Sequence, residues 1–257
     1  MAVRRLMGPT GTVAFQMAFD GALLDAVAGR DVAGVGATVR TYGFTPPGLS
    51  LGWFQRLVDV PRAREMNAVA RRLTGGGAIH HHRELTFAIA ASADHPLYRG
   101  DVAGSYRRVH AAIADVLRDV GIRAELRADR ALASDTAGTG LCFHASSSLD
   151  LVWPRRGDGA LAKGVGSAQR RRTGRVLHHG SIKLSPDPEE PGVATVWPLP
   201  DPARERELEE ALVTALGELL GGGLEPCEPH PSEVERALET QAWHADRHAL
   251  QRRPSRR

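Results

Sequence analysis

The chain has 257 residues, a length that accommodates one large domain or two modest ones. Hydrophobic residues make up 42% and charged residues 25%, and no apolar run approaches the roughly 18 residues that a membrane-spanning helix needs. The composition therefore excludes a membrane-spanning protein and predicts a soluble globular one with a small net charge of +3.

Hydrophobic periodicity and turn residues predict the elements in chain order. The first half is predicted to contain a helix over 15–27, strands over 37–44 and 49–55, a short helix over 61–70, a strand over 83–91 and a helix over 105–121. The second half is predicted to contain strands over 163–169 and 176–184, a helix opening at Asp201 and Pro202, and a last helix with a capping-box pair at Ser232 and Glu235. This order predicts an α+β fold, with helices packed on a mixed sheet.

The N-terminus and the cysteines predict a cytoplasmic location. Gln16 and Asp20 interrupt the apolar stretch that follows the first arginines, which argues against a secretory signal. Cys142 and Cys227 lie far apart in the sequence, and two cysteines do not form a disulfide framework. Reduced thiols in the cytosol are therefore expected.

Positive charge is concentrated in a predicted turn at 168–175 and in the tail at 251–257. A basic turn of this kind can receive an acidic partner or nucleic acid. No aromatic residues are interleaved with the arginines, which argues against single-stranded nucleic acid. We therefore predict no nucleic-acid partner, and we interpret the tail as a solvated terminus.

Three consecutive glycines, Gly75, Gly76 and Gly77, interrupt a strand-like stretch directly after Arg71 and Arg72. Glycine weakens a strand unless another group must approach its backbone closely. Bare backbone N–H groups beside arginines can bind a carbonyl, a carboxylate or a phosphate. The spacing matches neither a Walker loop nor a dinucleotide fingerprint, and a glycine-rich turn without a ligand is an equal alternative.

Five histidines lie in two runs, at 80–82 and 178–179. Adjacent residues of a strand point to opposite faces, so at most His80 and His82 of the first run share one side. No cysteine or carboxylate spacing typical of zinc accompanies them. The sequence therefore predicts no metal site, and it favours core or substrate-contacting histidines.

Cys142 follows a small, polar loop at 130–140, and Lys163 lies on the strand after the next turn. A buried structural cysteine and a surface lysine are the ordinary interpretations of these residues. A lysine beside a thiol would instead stabilise its thiolate and make it a nucleophile. Spacing alone does not decide between these alternatives.

Five stretches taken together resemble the lipoate–protein ligase/octanoyltransferase superfamily. In order they are MAFDGALL, RTYGFTPPGLSLGWFQ, RRLTGGGAIHHHRELTFAI, CFHASSSLDLVW and KGVGSAQRRRTGRVLHHGSIKL. The resemblance covers about residues 12 to 185. It implies a biotin/lipoyl-synthetase-like fold in which a mixed sheet is flanked by helices. We expect a catalytic domain over 1–225, followed over 226–257 by a helix and a disordered basic tail.

The family contains two chemistries, and the resemblance favours one of them. Ligases activate free lipoate with ATP, whereas octanoyltransferases take the acyl group from acyl carrier protein onto a cysteine. Cys142 resembles that cysteine, which ligases generally lack. The main expectation is therefore transfer of octanoate from the carrier protein to a lysine of a lipoyl domain or a glycine-cleavage H-type protein. It needs no cofactor, membrane or metal.

Three alternatives stay open. An ATP- and Mg-dependent lipoate ligase would not need Cys142. An amidotransferase between lipoyl domains would keep the cysteine but ignore acyl carrier protein. A carrier-binding protein without catalysis would bind acyl carriers without turnover.

The resemblance also implies roles for individual residues. Cys142 would be the nucleophile, and Lys163 would stabilise its thiolate. The glycine stretch would line an acyl tunnel, and backbone N–H groups near Gly76 or Gly166 would stabilise the oxyanion. The substrate-binding residues would be Arg72, Gly75, Gly76, Gly77, His81, Gly166, Ser167, Ala168, Gln169, His179 and Gly180.

Three departures from the family pattern concern substrate binding. His81 aligns with the family's histidine, and His82 stands where relatives commonly have Asp. Gly77 occupies a position where the transferases often have Arg. The turn at 154–162, before Lys163, is longer than usual.

Overall fold

A computed structural model of the protein describes residues 2–7, 10–27 and 35–254. Within these ranges the helices are α1 (Val13–Ala26), α2 (Val102–Asp119), α3 (Pro202–Leu219), α4 (Pro231–Ala245) and α5 (Arg247–Leu250). The strands are β1 (Ala2–Met7), β2 (Val35–Tyr42), β3 (Gly48–Leu51), β4 (Val69–Arg71), β5 (Ile79–His81), β6 (Glu84–Ser92), β7 (Glu125–Leu126), β8 (Leu151–Pro154), β9 (Leu161–Arg172), β10 (Arg175–Lys183) and β11 (Leu224–Cys227).

Two sheets organise the described residues. The large sheet has the order β11-β1-β2-β6-β10-β9-β8-β7, and the small sheet has the order β4-β3-β5. In the large sheet β1 is parallel to both of its neighbours, and the pairings from β2 through β6, β10, β9 and β8 are antiparallel. The predicted α+β fold with a mixed sheet flanked by helices is therefore confirmed.

The large sheet is the middle of three layers. Alternate side chains of β6 point to opposite faces, as the period of a strand requires. Phe87 and Ile89 pack with the inner faces of α2 and α3 in one core cluster. Ala88 and Ala90 pack on the other face, against residues of α1. The small sheet lies beside α1 and brings the glycine stretch to the site described below.

Several predicted elements differ in the structure. Residues 61–70 do not form a helix: two 3₁₀ turns at 57–59 and 61–64 are followed by β4. Strands β1 and β11 were not predicted. The last helix starts earlier than predicted, because His230 and Glu233 form its capping box in place of Ser232 and Glu235. The third helix begins as predicted, since the Asp201 side chain accepts hydrogen bonds from the N–H groups of Ala203 and Arg204.

The C-terminal segment packs on the small sheet as far as the structure describes it. Leu250 of α5 is fully buried, and Arg71 Nη2 donates to the carbonyls of Leu250 and Arg252 at 3.3 and 3.0 Å. The sequence had suggested a disordered tail after the last helix, but residues 247–254 lie over the small sheet. Residues 255–257 lie outside the described ranges, and the boundary at residue 225 stays a prediction.

Candidate active site

The glycine stretch and the Cys142 loop are paired through their backbones. Ala78 N–H donates to the Gly140 carbonyl at 2.8 Å, and Cys142 N–H donates to the Ala78 carbonyl at 2.6 Å. A Cβ on Gly77 would lie 2.8 Å from both the N and Cα atoms of Cys142, too close for any side chain. The backbone of Cys142 is therefore the group whose approach requires glycine at position 77.

Arg72 fixes the shape of the glycine stretch. Its Nη2 donates to the carbonyls of Gly75 and Gly77, both at 2.7 Å. Its Nε donates to Thr74 Oγ1 at 3.1 Å, and its Nη1 donates to the carbonyl and hydroxyl oxygens of Ser50 at 3.1 and 3.3 Å. A guanidinium has five N–H donors, and all five are engaged here. Arg72 thus positions the loop, and in this conformation it has no donor left for a substrate head group.

Lys163 meets Cys142 at the site. Its Nζ lies 3.4 Å from Cys142 Sγ, 2.9 Å from the Cys142 carbonyl oxygen and 2.8 Å from Asp150 Oδ2. Asp150 Oδ2 also accepts a hydrogen bond from Ser147 N–H at 2.7 Å. A Cβ on Gly166 would lie 2.8 Å from Lys163 Cε, so glycine there leaves room for the lysine stem. Spacing could not show that the cysteine and lysine are within reach, and the structure places them in contact.

The surroundings keep Lys163 protonated. Burial lowers the pKa of Lys163, but a negative charge on Cys142 and the carboxylate of Asp150 raise it further, so its pKa lies above the ordinary value. An ammonium has three N–H donors, which match the three acceptors around it. The chain has only one other lysine, Lys183, and both lysines are almost completely buried.

Cys142 opens into a narrow cavity beside the large sheet. The volume of this cavity is about 40 Å³. The lining residues are Met17, Tyr42, Arg72, Gly75, Gly76, Ile79, His81, Thr86, Cys142, Gly166, Ser167, Ala168, His179, Gly180 and Ser181. Nine of the eleven predicted substrate-binding residues are among them.

Gly77 and Gln169 are the two that do not line the cavity. Gly77 packs against the Cys142 backbone instead. Gln169 Nε2 donates to Ser105 Oγ at 2.9 Å and lies 3.1 Å from His178 Nδ1. Gln169 therefore joins α2 to the sheet, away from the cavity.

Both ring nitrogens of His81 are bound within the protein. Nδ1 lies 2.6 Å from Glu84 Oε1, Nε2 lies 2.8 Å from Ser50 Oγ, and the ring stacks on Phe44. Burial lowers the pKa of His81 more than the nearby Glu84 raises it. The imidazole is therefore fixed by its neighbours and forms part of the cavity wall.

His179 belongs to a buried polar network that sequence reasoning missed. Its Nε2 lies 2.6 Å from Thr74 Oγ1, and its Nδ1 lies 2.7 Å from Asp20 Oδ2. Asp20 also pairs with Arg40 at 2.6 Å and accepts the Tyr42 hydroxyl at 2.9 Å. The signal was present: a carboxylate within the apolar helix stretch MAFDGALL must be satisfied when that helix is buried.

Asp150 was also missed, and its signal is weaker. It ends a polar run, SSSLD, directly before a strand, where a surface turn is the ordinary interpretation. Only the contact between β8 and β9 brings its carboxylate to Lys163. No spacing rule links the two residues.

The predicted basic turn is shorter than the sequence suggested. The strands β9 and β10 extend to a two-residue turn at 173–174. Arg172 and Arg175 both pair with Asp25 of α1, at 3.2 and 3.5 Å, and Arg171 Nη1 donates to the Tyr98 carbonyl at 3.2 Å. These arginines are half-buried, so the hairpin is joined to its neighbours on both sides.

No helix among the described residues is long and apolar enough to cross a membrane.

Comparison with known proteins gives a consistent result. An octanoyltransferase LipM of Kyrpidia tusciae is 33% identical over 90% of this chain and 92% of its own length. An octanoyltransferase LipM of Moorella thermoacetica is 40% identical over 58% of this chain, which spans 54% of that relative. A bipartite lipoate protein ligase of Thermoplasma acidophilum, studied with its E2 lipoyl domain, superposes with a TM-score of 0.69 at 20% identity, over 98% and 97% of the two chains. Residues 12–239 match the family model of the lipoyl protein ligase A/B catalytic domain, and the chain belongs to that family.

Proposed function

We propose that the protein is an octanoyltransferase that moves an octanoyl group from acyl carrier protein, through a thioester on Cys142, to a lysine of a lipoyl domain. The observation that carries the proposal is the contact of Cys142 Sγ with the Lys163 ammonium at 3.4 Å. A cationic neighbour favours the thiolate, which is the nucleophilic form of cysteine. The two LipM relatives bear the name of this activity.

The chemistry needs two substitutions at one carbonyl carbon. The Cys142 thiolate attacks the carrier thioester, the bond from carbon to Sγ forms, and the carrier thiolate leaves and takes a proton. The neutral amine of the acceptor lysine then attacks the enzyme thioester, the C–N bond forms, and the Cys142 thiolate leaves. The amine's second proton passes to water or to a base. Exchange between thioesters is nearly balanced and formation of the amide is downhill, so ATP is not consumed.

The cavity suits the acyl chain of this reaction. Its wall combines apolar side chains such as Met17 and Ile79 with the bare backbone of Gly166 and Gly180. The narrow cavity has to widen when an octanoyl chain enters. Gly75 borders open space, because a Cβ added there would meet no atom within 4 Å. We propose that the chain lies along this wall with its carbonyl at Cys142.

The proposed partners are octanoyl-acyl carrier protein as donor and a lipoyl domain or H-type protein as acceptor, in the cytoplasm and without a cofactor. The E2 lipoyl domain studied with the Thermoplasma ligase supports the acceptor class. The half-buried arginines of the β9–β10 hairpin would attract an acidic carrier.

The test is intact-mass analysis of the full chain after mixing with octanoyl carrier protein, without ATP. We expect one octanoyl group on the wild-type protein and none on Cys142→Ser, while the matched control Cys227→Ser is acylated like the wild type. When lipoyl domain is added, the octanoyl group should leave the enzyme and appear on the lipoyl domain in amide linkage. Absence of octanoyl mass on the wild type would reject the covalent step.

Parallel reactions separate the alternatives. A ligase would use free octanoate with MgATP and would keep its activity in Cys142→Ser. An amidotransferase would accept octanoyl-lipoyl domain but not the carrier as donor. A carrier-binding protein would bind octanoyl carrier protein with no transfer in either variant.

A further inference from the structure

We propose that His80, His82 and Asp187 form a binding site for a divalent metal ion of the zinc class, separate from the catalytic cysteine. Each side chain offers a ligand atom, and these atoms lie within 4.8 Å of one another. The imidazoles come from β5 and the residue that follows it, and the carboxylate comes from the segment after β10. The inference is independent of the proposed acyl transfer.

The two histidines share one side of their strand. They are two residues apart, and their rings meet edge-on with centroids 5.9 Å apart. His81, between them, points the other way, to Glu84 and Ser50 beside the acyl cavity. The proposed ligands therefore face away from the substrate.

Asp187 is held as a carboxylate between the rings. Oδ2 lies 2.6 Å from His80 Nδ1, Oδ1 lies 3.6 Å from His82 Nδ1, and Oδ1 accepts Glu189 N–H at 2.9 Å. These contacts hold the carboxylate between the two imidazole rings.

The nearby positive charge is already compensated. Lys183 Nζ pairs with Glu190 Oε2 at 2.6 Å and with Glu84 Oε2 at 3.0 Å. Lys183 is therefore paired with Glu84 and Glu190, and no ion pair joins it to Asp187 among the described residues.

The ligand types indicate the class of metal. Two imidazoles and one carboxylate suit zinc, cobalt or nickel, whereas magnesium and calcium prefer oxygen ligands throughout. Ligands about 2.0–2.2 Å from a tetrahedral ion lie roughly 3.3 Å apart. His82 is 32% exposed, so its ring can rotate into place and the ion can enter from solvent.

The sequence did not indicate this cluster, because Asp187 lies 107 residues after His80 in the chain. A bound ion would fasten the segment after β10 to β5. A ligand that binds only the folded state stabilises it by mass action. Zinc should therefore raise the melting temperature.

The test uses tag-free full-length protein, stripped with chelator and titrated with zinc sulfate by calorimetry. We expect one zinc ion per chain in the wild type, and affinity lower by roughly tenfold or more in His82→Ala. His82 is partly exposed, so this variant should fold. The matched control is His248→Ala, an exposed histidine outside the cluster, which should bind like the wild type. Cys142→Ser should also bind like the wild type, which distinguishes this site from zinc on the catalytic thiol.

A second readout is thermal unfolding with and without zinc. We expect zinc to raise the melting temperature of the wild type and of His248→Ala, but not of His82→Ala. Equal zinc affinity in His82→Ala and His248→Ala, or no zinc binding by the wild type, would overturn the proposal. In that case His80 and Asp187 form an ordinary hydrogen-bonded pair.

Discussion

At the scale of single residues, the main feature of the site is the Lys163 ammonium, which contacts the Cys142 sulfur, the Cys142 carbonyl and the Asp150 carboxylate. The carboxylate of Asp150 keeps the lysine charged, and the lysine in turn stabilises negative charge on Cys142. Removing one member of a buried set leaves the others without compensation. The three groups should therefore behave as a unit.

Replacing Lys163 by Met tests this coupling. Without the ammonium 3.4 Å from Sγ, negative charge on the reacting sulfur loses its stabilising neighbour, and alkylation of Cys142 by iodoacetamide should slow by roughly tenfold at about pH 7. The measurement is the alkylation rate in a Cys227→Ser background, where Cys142 is the only thiol.

The pH dependence of the same assay supplies the control. At about pH 10 most thiols are ionised without assistance, so the rates of Lys163→Met and its parent should converge. Equal rates at neutral pH would contradict the assigned role of Lys163.

At the scale of elements, the glycine stretch and the Cys142 loop form one unit. Arg72 ties the loop carbonyls together, and Gly77 lets the two backbones pair. Cys142 is therefore positioned by main-chain hydrogen bonds rather than by its own side chain.

The change Gly77→Ala should disrupt this unit. The added Cβ overlaps Cys142 N and Cα, so the Cys142 loop must move, and overpacking of this kind costs about 1–3 kcal/mol of unfolding free energy. We expect loss of acyl-enzyme formation together with that loss of stability, measured by urea unfolding and intact mass.

The neighbouring change Gly75→Ala is the matched comparison. Its Cβ meets no atom within 4 Å, so stability should stay within about 0.5 kcal/mol of the wild type or rise slightly. If the two variants were equally stable and equally active, the steric argument for Gly77 would be wrong.

Elements with strong local signals could be predicted from the sequence, and those defined by distant partners could not. Helix α2 is amphipathic with Val109, Ile113 and Leu117 inside, and it was predicted to within a few residues. Strands β1 and β11 are short and parallel, and their pairing joins segments that lie far apart in the chain, with Val3 opposite Leu224. Nothing in either segment alone indicates that partner.

At the site, too, residues with a local sequence signal could be predicted and residues brought in by distant partners could not. The family motifs identified Cys142, Lys163 and most of the cavity wall. Asp150 and Asp20 were missed, because each is brought in by the packing of another element. Arg72 was predicted as a substrate-binding residue and lines the cavity, but its hydrogen bonds to the loop carbonyls could not be predicted, because they are a property of the folded loop.

At the scale of the whole molecule, buried ion pairs link stability to pH. Burial raises the pKa of Glu84, but Lys183 and His81 hold it far below its ordinary value of 4.5. A carboxylate of this kind stabilises the fold above its unfolded pKa, and the contribution is lost as the pH falls below that value. The wild type should therefore lose unfolding free energy steadily below about pH 5.

The variant Glu84→Gln should change this profile. At neutral pH it leaves Lys183 and His81 with less compensation and costs about 3–5 kcal/mol. Below about pH 4 the difference from the wild type should shrink, because this carboxyl takes up a proton in the unfolded state but not yet in the folded state. Urea unfolding across this pH range makes the measurement.

Exposed Glu218→Gln is the control, and it should follow the wild type within about 0.5 kcal/mol throughout. A constant gap between Glu84→Gln and the wild type from neutral to acid pH would contradict the depressed pKa of Glu84.

The placement of the two lysines has a consequence for the proposed transfer of acyl groups to amines. Of the protein's 33 basic residues only Lys163 and Lys183 bear a primary amine on the side chain, and both are buried as paired ammonium ions. The rest of these 33 residues are arginines, whose guanidinium groups stay protonated and do not attack thioesters. In the proposed reaction, neither lysine side chain would therefore compete with the acceptor lysine for the activated acyl group.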